Sequence, residues 1–128
     1  VRVVCNYIED IYEIARMLTN QSDIKLLRMS DYIREPKPNG YRSLHLVMDV
    51  PVFMSDRTEH VPVEIQIRTI AMDFWASLEH QLRYKSDSDV SDKLREQLRE
   101  CAEKSAELDL EMQSIYKKVK RANSRQHK

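Results

Sequence analysis

Apolar and polar residues alternate along two stretches of the chain, the period expected of β-strands with one buried face. Between Ser43 and Val50 the even-numbered residues are all apolar, and between Val61 and Arg68 the odd-numbered residues are. Two further runs rich in β-branched and aliphatic residues, Val1–Cys5 and Ile24–Met29, predict two more strands. The ten residues 51–60 suit a long hairpin connection between the two alternating strands.

Apolar residues three and four positions apart predict helices in the remaining segments. A short helix is expected over Asp10–Leu18. A second is expected from Thr69, as its N-cap, to about Lys85. Its predicted buried stripe consists of Ala71, Trp75, Leu78 and Leu82. The polar residues 86–89 predict a turn that ends this helix.

A long helix is predicted from about Asp92 to Arg121. Its apolar positions follow a 4-3 spacing with one serine, over Leu94, Leu98, Cys101, Ser105, Leu108, Met112, Ile115 and Val119. This spacing is a heptad seam of nearly four repeats, which serves either as intramolecular core or as a contact between subunits. The tail 122–128 has no apolar pattern and is expected to fray.

Composition excludes several classes of protein. Lys and Arg together number 21, as do Asp and Glu, so the net charge is zero. That balance argues against a domain held to nucleic acid by bulk electrostatics, although local basic patches remain available. No apolar run approaches the roughly 18 residues of a membrane span. The two cysteines, Cys5 and Cys101, match no CxxC pattern and are expected to be free thiols in a reducing cytoplasm.

Gly40 is the only glycine. Walker A loops, dinucleotide-binding turns and nucleophile elbows each need two or more glycines at fixed spacing, so all three are excluded. If the protein binds nucleotides, side chains must hold the phosphates.

One strand presents the sharpest local pattern of polar groups. In the segment 63–68, Glu64, Gln66 and Arg68 share one face, with about 7 Å between alternate positions. A carboxylate, an amide and a guanidinium in that arrangement can ligate a hard cation, orient a hydroxyl group and balance phosphate charge. The alternative is the solvated polar face of an edge strand.

The loop that precedes the other alternating strand is basic and carries an aromatic residue. Arg34, Lys37 and Arg42 supply charge and donors for phosphates, and Tyr41 offers a face on which a base can stack. His45, on the following strand, could donate to a phosphate oxygen near neutral pH. The alternative is an ordinary surface turn followed by a structural histidine.

Three strings in fixed order resemble a known family: 37–45 (KPNGYRSLH), 63–69 (VEIQIRT) and 72–80 (MDFWASLEH). Together they resemble the synthetase domain of RelA/SpoT proteins, and most closely the stand-alone small alarmone synthetases. The resemblance implies an α/β fold, a mixed sheet of at least four strands flanked by helices, of nucleotidyltransferase-like type. It also implies a cytoplasmic, homotetrameric GTP pyrophosphokinase of the stringent response.

Such an enzyme uses Mg²⁺ and transfers pyrophosphate from ATP to the 3′-hydroxyl of GDP or GTP, making ppGpp or pppGpp. By resemblance, Tyr41 stacks on the acceptor guanine, and Lys37 and His45 contact acceptor phosphates. Glu64 helps to hold Mg²⁺ and to activate the hydroxyl, with Gln66 beside it. The remaining members of the expected acceptor set are Asn39, Arg42, Ser43, Arg28 and Arg34.

The chain departs from the family pattern at Ser30, where a basic residue is common, so one phosphate contact is expected to be missing or supplied by Arg28 or Arg34. The resemblance also places the metal-binding aspartate and the ATP-side basic residues upstream of Val1. We therefore expect residues 1–90 to be the C-terminal part of a catalytic domain and residues 91–128 to be an oligomer or packing helix with a frayed basic tail.

Two other functions remain open from the sequence. One is a catalytically inactive sensor of guanine nucleotides on the same scaffold. The other is an RNA-binding module that uses the 37–42 loop.

Overall fold

Four strands form one mixed sheet in the computed structural model, which describes residues 1–85 and 91–126. The strands are β1 (Arg2–Cys5), β2 (Lys25–Asp31), β3 (Leu44–Phe53) and β4 (Thr58–Thr69). Their order is β1-β4-β3-β2, with β1 parallel to β4 and the other pairs antiparallel. The predicted mixed α/β fold is confirmed.

The core lies on one face of this sheet. Leu44, Leu46 and Met48 of β3 are fully buried there, because alternate residues of a strand point to the same side. Helix α1 (Ile8–Thr19) covers that face with Ile11 and forms one apolar cluster with the strand residues. The opposite face of β3 and β4 is therefore left for polar side chains.

The β3–β4 hairpin is longer than the sequence predicts. The two strands stay paired from Leu44↔Ile67 to Phe53↔Thr58, which leaves only residues 54–57 as the connection. The predicted ten-residue loop is therefore wrong. Pro51 of β3 lies past the end of β2, and Pro62 of β4 lies past the end of β1, so each strand has one neighbour at its proline and the proline is tolerated.

Helix α2 (Ile70–Lys85) begins as predicted but buries a different face. Thr69 Oγ1 accepts a hydrogen bond from the Met72 amide at 3.2 Å, which confirms the N-cap. Met72, Trp75 and Glu79 are buried, whereas Leu78 and Leu82 of the predicted stripe are exposed. The Trp75 indole donates to the carbonyl of Leu98 at 2.9 Å, so the buried side of α2 faces α3.

Helix α3 (Asp92–Gln126) lies against α1, α2 and the loop before β3. It continues five residues past Arg121, so the prediction of a frayed tail is wrong as far as Gln126. The predicted turn at 86–89 falls outside the described residues. No helix in the described part of the chain is long and apolar enough to cross a membrane.

The side of α3 that packs on the rest of the chain is not the predicted apolar seam. The packed face consists of Leu98, Ala102, Ser105, Asp109, Gln113 and Tyr116. It shares only Leu98 and Ser105 with the heptad seam. The other seam residues are exposed, namely Leu94, Cys101, Leu108, Met112, Ile115 and Val119.

Candidate functional site

Five polar side chains form a closed ring of contacts on the sheet face opposite α1. Arg68 donates to the Tyr41 hydroxyl oxygen at 3.4 Å and to Gln66 Oε1. Gln66 Nε2 donates to Glu64 Oε1 at 2.9 Å. His45 closes the ring, since its Nε2 lies 2.8 Å from the Tyr41 hydroxyl and its Nδ1 lies 3.9 Å from Glu64 Oε1. We call these five residues the polar ring.

The strand register explains why these residues meet. His45 lies directly opposite Gln66 in the β3–β4 pair, while Glu64 and Arg68 flank Gln66 at alternate positions on the same face. The sequence prediction that Glu64, Gln66 and Arg68 share one face is confirmed. Tyr41 reaches the ring from the loop that leads into β3.

The ring fixes the hydrogen positions on His45. Burial lowers the pKa of His45, the neighbouring cations Lys37, Arg68 and Arg28 lower it further, and Glu64 partly opposes them. The imidazole is therefore neutral at pH 7. Arg68 can only donate, so the Tyr41 oxygen accepts from it. The Glu64 carboxylate, 3.9 Å from His45 Nδ1, favours the tautomer in which Nε2 accepts from the Tyr41 hydroxyl. The hydrogen of His45 then lies on Nδ1, toward Glu64.

Glu64 is ionised and accessible. The hydrogen bond from Gln66 lowers the pKa of its carboxyl group, and the positive charge of Arg28 acts in the same direction. Its side chain is 52% exposed. Among the described residues, no group of three or more His, Cys, Asp or Glu side chains could hold a metal ion. One ionised carboxylate nevertheless suits Mg²⁺, which usually takes one or two carboxylates together with waters and substrate phosphates.

An aromatic and cationic group adjoins the ring. Lys37 Nζ lies 4.8 Å from the ring centroid of Tyr32 and 5.2 Å from that of Tyr41. Tyr32 also packs edge-on against His45, with centroids 5.1 Å apart. The Tyr41 amide donates to Asn39 Oδ1 at 3.0 Å, so Asn39 shapes this loop with its side chain. The predicted residues Lys37, Asn39, Tyr41 and His45 are thus brought together.

The two predicted arginines outside this loop occupy different places. Arg28 is exposed on β2, and its positive charge lowers the pKa of both His45 and Glu64. Arg34 follows β2 beside Asp31, whose Oδ1 accepts from the Arg34 amide at 3.0 Å, and its charge acts on Tyr12. Arg28 therefore faces the polar ring, and Arg34 lies with the Tyr12–Asp31 pair.

Arg42 and Ser43, two further residues of the expected acceptor set, have buried side chains with partners inside the protein. Arg42 is only 7% exposed and forms an ion pair with Asp109 of α3 at 3.4 Å. Ser43 is fully buried, and its hydroxyl donates to the carbonyl of Ile67 at 3.3 Å. Both side chains are already bonded within the protein, Arg42 to α3 and Ser43 to β4. Their structural role is to anchor the loop.

Three residues of this region, Arg68, Tyr32 and Asp109, were absent from the site residues that the family resemblance implies. Arg68 carried a signal, because it alternates with Glu64 and Gln66. Tyr32 had no distinguishing pattern after β2. Asp109 lies 67 residues from Arg42, and no local pattern could have paired them.

A cavity of about 490 Å³ adjoins the ring on the side of α2. Its walls include the ring residues Tyr41, Gln66 and Arg68. The other lining residues are Arg2, Ala76, Ser77, Glu79, His80, Gln81 and Arg83. A nucleotide held at the polar ring would therefore have open, cationic space next to it.

The sequence and fold match known proteins. A family model described as "Region found in RelA / SpoT proteins" matches residues 1–89. The chain is 50% identical over 119 residues to GTP pyrophosphokinase YwaC of Bacillus subtilis, covering 93% of this chain and 57% of YwaC. It is 40% identical over 123 residues to GTP pyrophosphokinase YjbM of the same organism, covering 96% of this chain and 58% of YjbM.

Among solved structures, small alarmone synthetase 1 of B. subtilis bound to its product pppGpp superposes with a TM-score of 0.86 at 41% identity. That match covers 92% of this chain and 61% of the other. The chain thus spans less than two thirds of the length of these relatives. Since the family model covers most of the chain, and the polar ring is built from the strings that carry the resemblance, the chain belongs to the RelA/SpoT family.

Proposed function

We propose that the protein is a GTP pyrophosphokinase, which transfers pyrophosphate from ATP to the 3′-hydroxyl of GDP or GTP to make ppGpp or pppGpp. The observation that carries this proposal is the polar ring, in which an ionised carboxylate lies beside a cationic and aromatic loop. The names of YwaC and YjbM, and the pppGpp complex of the related synthetase, support it.

The acceptor nucleotide would bind at the loop. Tyr41 presents an aromatic ring for the guanine, and Lys37 Nζ, 5.2 Å from that ring, supplies charge for the phosphates. His45 is neutral without ligand, and an adjacent phosphate would favour its protonated, donating form. Tyr32 holds Lys37 and His45 from the other side. A nucleotide held by these residues would lie beside Glu64 of β4, because His45 Nδ1 is 3.9 Å from the Glu64 carboxylate.

Transfer of the pyrophosphate group mainly requires that the two nucleotides are positioned and that the charge on the phosphates is neutralised. The 3′-oxygen of the acceptor forms a bond to the β-phosphorus of ATP, and the bond from that phosphorus to the oxygen bridging it to the α-phosphate breaks. AMP leaves with the bridging oxygen. The proton of the 3′-hydroxyl passes to the Glu64 carboxylate, which Gln66 holds in place.

We further propose that Glu64 binds Mg²⁺ together with the nucleotide phosphates. When bound, Mg²⁺ polarises the phosphate oxygens and lowers the pKa of the attacking hydroxyl. Chelation with EDTA is expected to abolish product formation, and excess Mg²⁺ to restore it. A rate unchanged by EDTA would contradict the metal requirement.

We also propose a cytoplasmic location. Cys5 and Cys101 are both free thiols, the state that a reducing compartment maintains. Cell fractionation with antibody detection tests this, and recovery of the protein outside the cytoplasmic fraction would contradict it.

A homo-oligomer, a tetramer as the family resemblance implies, is proposed on the basis of the exposed seam of α3. Leu98 and Ser105 of the seam pack on the rest of the chain, but Leu108, Met112, Ile115 and Val119 are exposed at spacings of four and three residues. Two copies would pair through these exposed residues about a two-fold axis. A tetramer would require a second, different contact.

Two exposed leucines on α3 allow a matched test of this assembly. Leu108 lies on the seam and is 52% exposed, while Leu110 lies off it and is 64% exposed. In light scattering after gel filtration, Leu108→Glu is expected to lower the molar mass, and Leu110→Glu to leave it unchanged. An unchanged mass in Leu108→Glu would contradict the proposed interface.

The activity is tested with the full-length protein that carries this chain. Incubation with ATP, GDP and Mg²⁺, followed by anion-exchange chromatography, is expected to yield a guanosine tetraphosphate and AMP in equal amounts. GDP binding without any product would instead support the inactive nucleotide sensor. Salt-dependent RNA binding without GDP binding would support the RNA-binding module.

A further inference from the structure

Residues 37–42, which precede β3, are called the acceptor loop. Helix α3 contacts this loop through buried polar side chains that lie outside the polar ring. Asp109 is 6% exposed, and its Oδ2 accepts from Arg42 Nη2 at 3.4 Å and from Thr69 Oγ1 at 2.8 Å. Arg42 Nη2 also donates to Ser105 Oγ at 3.2 Å. One carboxylate therefore joins α3 to the start of β3 and to the end of β4.

The buried Asp109–Arg42 pair depends on both of its charges being present. Burial raises the pKa of Asp109, and Thr69 and Arg42 oppose that change by stabilising the carboxylate. Burial lowers the pKa of Arg42, and Asp109 opposes it in the same way. A buried ion that loses its partner is left uncompensated, so the surrounding backbone must shift or admit water.

The backbone that would shift is the acceptor loop. Arg42 directly follows Tyr41, and the loop is closed on itself by hydrogen bonds from the Lys37 amide to the Tyr41 carbonyl at 3.1 Å and from the Gly40 amide to the Lys37 carbonyl at 2.8 Å. Gly40 also lies against Ala102 of α3, close enough that a Cβ on Gly40 would come within 2.6 Å of the Ala102 Cβ. Helix α3 therefore holds this loop at two adjacent points.

We propose that Asp109 is a positioning residue for the acceptor nucleotide. Through Arg42 and Thr69 it fixes the loop that carries Lys37 and Tyr41 relative to β4, which carries Glu64. The inference rests on the proposed function for the identity of the acceptor, a guanosine di- or triphosphate. Helix α3 lies beyond the residues that the family model matches, so this role is assigned from the contacts of this chain.

The test compares two residues that join α3 to the rest of the chain. Asp109→Asn keeps the shape of the side chain and removes its charge. In the full-length protein it is expected to raise the KM for GDP about tenfold or more, since small displacements of binding groups are costly, while the KM for ATP changes less than about twofold. Gln113, bonded to the Glu9 amide at 3.0 Å and to its carboxylate at 3.1 Å, is the control. Gln113→Ala is expected to lower Tm and leave the KM for GDP unchanged.

An unchanged KM for GDP in Asp109→Asn, or an equal rise in both KM values, would overturn the inference. So would the same rise in Gln113→Ala, because Asp109 would then serve only to dock α3. If Asp109→Asn fails to fold, Ser105→Ala decides, with an expected rise in the KM for GDP of about threefold from the lost hydrogen bond. If the KM for GDP does not rise in Ser105→Ala, the inference is contradicted.

A second measurement distinguishes failure of the proposed enzymatic activity from failure of the positioning role of Asp109. If the wild-type protein makes no tetraphosphate, the dissociation constants of GDP, measured by calorimetry on wild type and Asp109→Asn, decide instead. At least tenfold weaker binding in Asp109→Asn supports the positioning role. Equal affinities, or no GDP binding by the wild type, overturn it.

Discussion

Replacing Gly40 with alanine tests how tightly the acceptor loop lies against α3. Gly40 has φ +99°, a conformation that costs an L-residue about 1–2 kcal/mol. The new Cβ would also lie 2.6 Å from the Ala102 Cβ, an overlap of the kind that costs about 1–3 kcal/mol. We expect Gly40→Ala to lower the free energy of unfolding by about 2–5 kcal/mol in total, and Tm by about 10 °C or more.

The two causes separate in a double-mutant cycle measured by urea denaturation. Ala102→Gly alone should cost about 1 kcal/mol, because glycine in a helix interior is less favourable than alanine. In the double variant the overlap disappears and the backbone strain at residue 40 remains. The two changes are therefore expected to be less than additive by about 1–3 kcal/mol. Wild-type stability in Gly40→Ala, or strict additivity in the double variant, would refute a close contact between the loop and α3.

Three further predictions concern single hydrogen bonds. Trp75→Phe removes the indole donor to the Leu98 carbonyl and should lower the free energy of unfolding by about 1 kcal/mol in urea denaturation; no change would show that this bond does not dock α2 on α3. Burial first, and then the hydrogen bond to Asp31 at 2.8 Å, raise the pKa of Tyr12 to about 12 from the usual 10. The unfolded state then loses this proton first, so Tyr12 stabilises the fold fully below pH 10 and progressively less up to about pH 12. Wild type should lose more stability than Tyr12→Phe across that window, and parallel curves would contradict this. Gln66→Leu removes the donor to Glu64 and should raise the pKa of that carboxyl group in a carbon-13 NMR titration; an unchanged value would contradict the assigned cause.

The strands could be predicted from the sequence because their signal is local. Alternation over residues 43–50 and 61–68 fixes which face is buried, and the same alternation places Glu64, Gln66 and Arg68 together. The ends of β3 and β4 could not be predicted in this way. Pro51 suggested a loop, whereas its position past the end of β2 allows the pairing to continue.

Which face of each helix is buried depends on contacts between residues that are distant in the sequence. In α2, the side that carries Trp75 and Glu79 packs toward α3 and leaves Leu78 exposed, against the hydrophobic pattern. In α3, the packed face uses polar and small residues such as Asp109, and the heptad seam stays exposed. The pairing of Arg42 with Asp109 follows from the tertiary fold alone, so no local pattern in the sequence could predict it.

The most direct test of the proposed synthetase is the substitution Glu64→Gln, with Glu59→Gln as its control. Both glutamates lie on β4, but Glu59 pairs with Arg57 near the hairpin tip, far along the strand from the polar ring. With full-length protein, saturating ATP and GDP, and Mg²⁺, we predict that Glu64→Gln loses at least about 100-fold in the rate of tetraphosphate formation while still binding GDP. Glu59→Gln should retain the wild-type rate. Wild-type activity in Glu64→Gln would contradict the account.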